Sequence, residues 1–313
     1  MRTVFLGSPP FATPILERLV ASPHRPVCVV TQPERPRGRG RKVQPSPVAE
    51  IARREEIELL QPDKATDPAF HARLRELEPD VFFVVSYGKI LREDLLAIPR
   101  DVSLNVHPSL LPRHRGATPI QAALLSGDEV TGVTIQKMAQ ELDAGDVLLA
   151  VETPVEPHEH AGELAERLAV ASAEASVAAL DLVASGDAVY TPQDPERVTF
   201  CRKLEKEHGW IDWSLPAAEL HRHVRGMTPW PGARTRLPGG AELAVTRAAP
   251  VDPGDAREPG RVLEAERRFL VACGDGSVLE LTEVKPAGKR AMAAADYLRG
   301  ARLEAGVLLE APA

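Results

Sequence analysis

The stretch "DVFFVVSYG", Asp80 to Gly88, decides the fold. Its apolar residues do not alternate with polar ones, so both faces must be covered, as in a central strand of a parallel sheet. Before it, "RTVFLG" reads as a strand, "FATPILERLVAS" as a helix and "RPVCVVTQ" as a second strand. "SPVAEIARREEI" reads as a helix with Ser46 as its N-cap and Pro47 at its first position. After it come a shorter strand "VSLNVH", a helix "TPIQAALLSG" closed by Gly127, and a strand "EVTGVTIQKM". A long helix from Glu159 to Gly186 ends on its glycine. Strand and helix in alternation predict an α/β domain over residues 1–186 with a mainly parallel sheet.

Residues 187–207 combine charge with turn formers and predict a linker. From 208 to 313 the pattern changes: one helical stretch, "DWSLPAAELHRHVRGM", is followed by short runs such as "ELAVTRAA", "GRVLEA", "FLVACG" and "SVLELTEV". Gly, Pro and Asp separate them, which predicts a small β-barrel of the five-stranded kind that often holds nucleic acid.

The chain of 313 residues sets 38 Lys and Arg against 45 Asp and Glu, a net charge of −7 that argues against wholesale non-specific binding of nucleic acid. From His208 onward 14 basic and 14 acidic residues cancel, so the excess acid belongs to the part before it. Against that trend, "ERPRGRGRK" places Arg35, Arg37, Arg39, Arg41 and Lys42 beside a single acid, Glu34. Cys28, Cys201 and Cys273 lack CxxC spacing and read as free thiols. His221 and His223 have no nearby Cys partners, so no metal site is expected. Trp210, Trp213 and Trp230 read as packing residues, while Lys285, Lys289 and Arg290 could meet a phosphate backbone or simply be solvated. The first apolar run, "TVFLG", stops at Pro9 and Pro10, far short of the roughly 7–15 residues of a signal-peptide core or the ~20 of a membrane span. A cytoplasmic protein without a membrane partner is expected.

The chemistry concentrates in "SLNVHPSLLPRHRGATP", Ser103 to Pro119. The period of two points Asn105 and His107 to one side at the end of a strand, where open α/β sheets hold ligands. "PSLLP" then supplies a stiff loop with two leucines. An acid from "QELDAGD", Asp143 or Asp146, would also fall at the carboxyl end of a strand. An Asn, a His and an Asp without a Ser or Cys nucleophile suit direct attack by a substrate amine on a carbonyl. Asn105 would stabilise the oxyanion, His107 would do so when protonated or shuttle a proton, and Asp143 would raise the His pKa or accept the amine proton.

"NVHPSLLPRHRGATPIQ" followed by "LDAGD" resembles the 10-formyltetrahydrofolate-dependent formyltransferases. The resemblance implies a Rossmann-like catalytic domain and an OB-like barrel, and it assigns the catalytic trio to Asn105, His107 and Asp143. It implies that 10-formyltetrahydrofolate lies against Ser109, Leu110, Leu111 and Pro112, with its pterin near Tyr87, Ile90 and Leu91, and that no metal is required. The loop Thr31 to Val48 and the stretches "WIDWS", "MTPWPGA" and "VKPAGKRAM" are similar to those members that formylate the α-amino group of methionyl initiator tRNA. On that likeness Arg35, Arg37, Arg39, Arg41 and Lys42 hold tRNA phosphates, Gly38 and Gly40 keep their loop pliant until RNA orders it, and the protein acts as a monomer. Two alternatives stand beside it: a formyltransferase of amino sugar nucleotides, which would not need the Arg-rich loop, and an RNA-binding protein that has lost catalysis, which would not need the trio.

Overall fold

The computed structural model describes residues 1–37, 42–251 and 258–310. The chain divides into two compact units: Met1–Pro119, Val130–Pro154 and Ala165–Cys201 form the first, and Ile120–Glu129, Val155–Leu164 and Arg202–Ala313 the second.

The first unit opens with β1 (Thr3–Gly7), α1 (Ala12–Val20), β2 (Cys28–Val30) and a hairpin of β3 (Arg35–Arg37) and β4 (Lys42–Gln44). Then come α2 (Pro47–Arg54), β5 (Glu58–Leu60), α3 (Pro68–Glu76), β6 (Val81–Val85), α4 (Glu93–Leu96), β7 (Val102–His107) and β8 (Arg115–Gly116). After α5 (Pro119–Ser126), most of which belongs to the second unit, the chain returns through β9 (Val130–Lys137), β10 (Val147–Pro154), α6 (Ala161–Ser185) and β11 (Phe200–Cys201). Seven strands make the main sheet in the order β10-β9-β7-β6-β1-β2-β5. β1, β2, β5, β6 and β7 are parallel, whereas β9 and β10 are antiparallel to their neighbours.

The central position of β6 follows from its residues. Phe82 and Val84 join Val4, Leu6, Cys28 and Val30 in one apolar cluster, while Phe83 and Val85, which alternate with them, are equally buried. Each such side chain contributes roughly 1.5–3 kcal/mol on burial, which an edge strand with one covered face could not collect at every position. Ser46 caps α2 by accepting the Ala49 N–H at 3.1 Å, and α6 stops where Gly186 takes a φ of +79°. By length and composition α6 could cross a membrane, but half of its most apolar window is buried inside the protein. The buried Ser172 and Ser176 hydroxyls on α6 donate to the carbonyls four residues back, Leu168 and Ser172, so the helix hides no unpaired hydroxyl there. Cys28, Cys201 and Cys273 are free, and burial pushes Cys28 and Cys273 up to about 12, so neither ionises at neutral pH.

Up to Cys201, the segment whose composition suggested a linker is part of the first unit. Thr191 bridges Val147, and β11 pairs in parallel with β8. Backbone hydrogen bonds hold it, and these leave no trace in side-chain composition.

The second unit packs α7 (Ala217–Met227) against β12 (Arg234–Arg236), β13 (Glu242–Val251), β14 (Val262–Glu264), β15 (Phe269–Ala272), β16 (Val278–Pro286), β17 (Met292–Ala293) and α8 (Ala294–Gly300). The strand order is β12-β13-β16-β15-β14, antiparallel throughout, with β17 on β16. After α8 the chain lays Leu308 against Arg261 and Glu310 against Arg236, so one short segment joins both edges of the sheet into a barrel. Closing the edges satisfies backbone groups that would otherwise template aggregation. Leu220, Val224 and Met227 turn one face of α7 into the core, and Trp213 is buried with its indole N–H donating to Thr235 Oγ1 at 3.0 Å. Trp210 is half-buried beneath the Arg234 guanidinium, 4.4 Å from its ring centre. Trp230 does not pack as expected: at 48% exposure it stands out between Pro229 and Pro231.

Candidate active site

Asn105 pairs with Gln136 and His107 with Thr134 across β7 and β9. Residues opposite each other in a ladder share a face, so all four side chains lie on one side of the sheet. The antiparallel course of β9 corrects the expected route of the acid. The carboxyl end of β9, Lys137, lies beside Leu104 rather than at the tip where β7 ends. Asp143 reaches His107 because the turn after β9 lies over that shared face, where the Gln136 amide donates to Asp143 Oδ1 at 3.2 Å.

His107 is 4% exposed. Its Nε2 lies 3.0 Å from the His114 carbonyl, and a carbonyl only accepts, so the ring proton sits on Nε2 and Nδ1 presents a lone pair. That lone pair faces Asp143 Oδ2 at 3.7 Å, close enough for attraction to a charged ring but too long for a hydrogen bond. Burial pushes the His107 pKa below its ordinary value; the Asp143 charge and the His114 hydrogen bond oppose this, and His114 as a charge reinforces it. The resting imidazole is therefore neutral at neutral pH and poised to accept a proton, which Asp143 would then stabilise. Asp143 accepts the Gly116 N–H on Oδ2 at 2.9 Å, and it holds a φ of +51°, in the left-handed region that Asp tolerates better than most residues.

Glycine is required twice beside this acid. A Cβ on Gly145 would sit 1.7 Å from the Lys137 carbonyl oxygen, and one on Gly116, whose φ is +121°, would sit 2.2 Å from that of Cys201. The "SLLP" loop is tied to the same face: Thr134 Oγ1 donates to the Ser109 carbonyl at 2.7 Å and accepts the Leu111 N–H at 3.1 Å. Asn105 is half-buried, and among the described residues its side-chain amide makes no hydrogen bond, so it keeps both donors for a ligand.

The structure thus brings Asn105, His107 and Asp143 to one place but divides the residues expected to hold folate. Ser109 is wholly buried with its hydroxyl donating to the Arg113 carbonyl, so it staples the loop. Tyr87, at 1% exposure, lies in the apolar cluster under β6 with Leu91, and Pro112 is buried as well. Leu110 and Leu111 are half-exposed and Ile90 is 88% exposed; Leu142, beside Asp143, adds an apolar side chain at 62% that the sequence reading missed. Among the basic residues, Arg39 and Arg41 fall outside the described residues, as do the side chains of Arg35, Arg37 and Lys42. Thr134, Gln136, Arg115 and Gln193 were also missed. The first two carried a signal, two polar residues at period two flanking Ile135 near the end of a largely buried strand. No three His, Cys, Asp or Glu side chains among the described residues could hold a metal.

Comparison with known proteins places the chain in a family. Residues 1–180 fit the family model for formyl transferase and residues 203–302 that for the formyl transferase C-terminal domain. Methionyl-tRNA formyltransferase of Moorella thermoacetica is 42% identical over 99% of both chains, and that of Thermobifida fusca 44% identical over 98% of both. Among solved structures, the N-formyltransferase of Helicobacter canadensis, a complex with folinic acid and dTDP-3-aminofucose, aligns over 90% of this chain and 98% of its own with a TM-score of 0.67 at 14% identity. HypX of Aquifex aeolicus, in complex with tetrahydrofolic acid, covers 95% of this chain with 47% of its own, at a TM-score of 0.61 and 20% identity. The solved structures share the fold, and the full-length relatives settle the kinship: this chain belongs to the methionyl-tRNA formyltransferase family.

Proposed function

We propose that this protein transfers the formyl group of 10-formyltetrahydrofolate to the α-amino group of methionyl initiator tRNA, by direct attack of the amine. The observation that carries the reading is a free Asn105 amide set on the same sheet face as a neutral, acid-backed His107. 10-Formyltetrahydrofolate, when bound, supplies the formyl carbon. Half-exposed Leu110 and Leu111 and the exposed Ile90 and Leu142 offer the apolar surface that a flat donor needs. Asn105 donates to the oxygen on which negative charge develops. His107 Nδ1 takes the proton that the amine loses, and Asp143, oriented by two donors, stabilises the imidazolium. The proton would pass on to N10 of the donor as its bond to the formyl carbon breaks, so that tetrahydrofolate leaves neutral and His107 is restored. An α-amino pKa near ~8 leaves a useful neutral fraction at pH 7, so positioning and charge stabilisation carry most of the rate.

The basic loop and the barrel unit serve the tRNA, and the protein works as a monomer in the cytoplasm. Replacing Arg37, Arg39 and Arg41 together by Ala is expected to weaken tRNA binding and to flatten its salt dependence by up to about 3 in log–log slope, while folate affinity stays put. Filter binding across a salt series checks this, and an unchanged slope would remove the loop from the interface. The reaction itself is tested by offering the formyl donor with methionyl initiator tRNA and, separately, with a nucleotide-linked amino sugar. Transfer to the sugar alone would keep the site and overturn the choice of substrate.

A further inference from the structure

We infer that Gln193 is the positioning residue that holds the Asp143 turn against His107. Its neighbours 191, 192 and 194–197 are exposed, whereas Gln193 turns inward. The buried Arg115 donates to Gln193 Oε1 twice, from Nε at 3.0 Å and Nη2 at 2.8 Å. A guanidinium only donates, so this fork fixes the oxygen side of the amide and aims its NH2 the other way. That NH2 donates to the Gly145 carbonyl at 2.7 Å and to the Asp143 carbonyl at 2.9 Å, with Gln136 Oε1 at 3.2 Å as a longer third partner. The two short bonds bracket the turn in which Asp143 keeps its left-handed backbone.

The same segment holds the other side of the site. The His114 N–H donates to Thr199 Oγ1 at 2.8 Å, and His114 supplies the carbonyl that sets the tautomer of His107. Residues 191–201 therefore act as a strap, with Gln193 clamping the acid and Thr199 steadying the partner of the base. Losing the Gln193 NH2 frees the turn to relax and lets the Asp143 carboxylate drift from the 3.7 Å at which it faces Nδ1. The groups facing His107 are Asp143, whose charge raises its pKa, and His114, whose carbonyl hydrogen bond raises it and whose ring charge lowers it; drift of Asp143 weakens only the first.

The test uses Gln193→Met, which keeps the shape and removes the polar ends, and Gln193→Glu, which still accepts from Arg115 but cannot donate to two carbonyls. In Gln193→Met, which adds no charge, the His107 ring, followed by NMR, is expected to titrate lower than in the wild type, and in both variants the Gly116 amide, released from Asp143, is expected to exchange faster. kcat is expected to fall by up to about 10²-fold, the cost of displacing a catalytic group by an ångström, while KM for tRNA and for folate changes little. If Gln193→Met fails to fold, Gln193→Glu, which keeps a partner for Arg115, carries the Gly116 exchange readout, its added charge being what bars the His107 comparison. A folded variant with wild-type His107 titration and Gly116 exchange overturns the inference, as does a lower melting temperature with both unmoved. The kinetic arm rests on the proposed formyl transfer; the two NMR readouts do not. A wild type inactive on methionyl-tRNA would therefore sink that function and leave the clamp still decided.

Discussion

Asn105→Ala is expected to lower kcat by roughly 10²–10³-fold, the usual cost of removing one donor aimed at a developing oxyanion. The fold should not notice. The amide makes no hydrogen bond among the described residues and is only half-buried, so its loss breaks no hydrogen bond there and opens no deep cavity. KM for both substrates should stay close to wild type, because charge on the formyl oxygen grows mainly in the transition state. Steady-state kinetics beside a melting curve separate the outcomes. Full activity in a folded Asn105→Ala variant would remove the oxyanion role and with it the proposed mechanism.

His107→Gln is expected to cost roughly 10²–10⁴-fold in kcat, the range for a lost general base. Gln is the informative replacement because its amide N–H can still donate to the His114 carbonyl, to which Ala would leave the weak Cys201 thiol donor at 3.4 Å in place of the ring. The pH profile identifies the role. In the wild type the neutral ring is the active form, so activity falls as pH drops through the folded pKa of His107. Burial places that limb below the ordinary histidine value of ~6.5. The His107→Gln variant should lack the limb altogether, whereas Asp143→Asn should move it to still lower pH, because the charge that favours the imidazolium is gone. Stability follows the same sign. The unfolded chain takes up a proton that the folded ring resists, so this residue's contribution is complete above about 6.5 and fades as pH falls. Activity that instead falls as pH rises through the folded pKa of His107 would mean that the ring works as a cation.

Much of the fold is legible in the sequence. The unbroken apolar run of β6 could be satisfied only in the middle of a parallel sheet, Ser46 and Pro47 mark the start of α2, and Gly186 marks the end of α6. These are local or nearly local facts: which faces are apolar, which side chain can cap, which residue tolerates a positive φ. The pairing of Asn105 with His107 on one face is of the same kind, since it follows from a period of two.

The rest depends on where distant segments meet. Nothing in "EVTGVTIQKM" says which way β9 runs, because direction is set by partners across the sheet; yet its antiparallel course is why Asp143 arrives over the face and not at the tip. Composition made residues 187–207 a linker, because backbone pairing to β8 and one inward-turned glutamine, 50 residues from Asp143, are invisible to composition. Ser109 and Tyr87 looked like ligand contacts by their place in a motif and are buried, one stapling a loop and the other filling the core. Sequence by itself determined the candidate residues for the chemistry and the secondary structure that carries them, since both depend on short-range sterics and periodicity. Only the tertiary structure decided which side chains hold the acid and the base at their working distance, because that depends on long-range contacts whose partners no local pattern names.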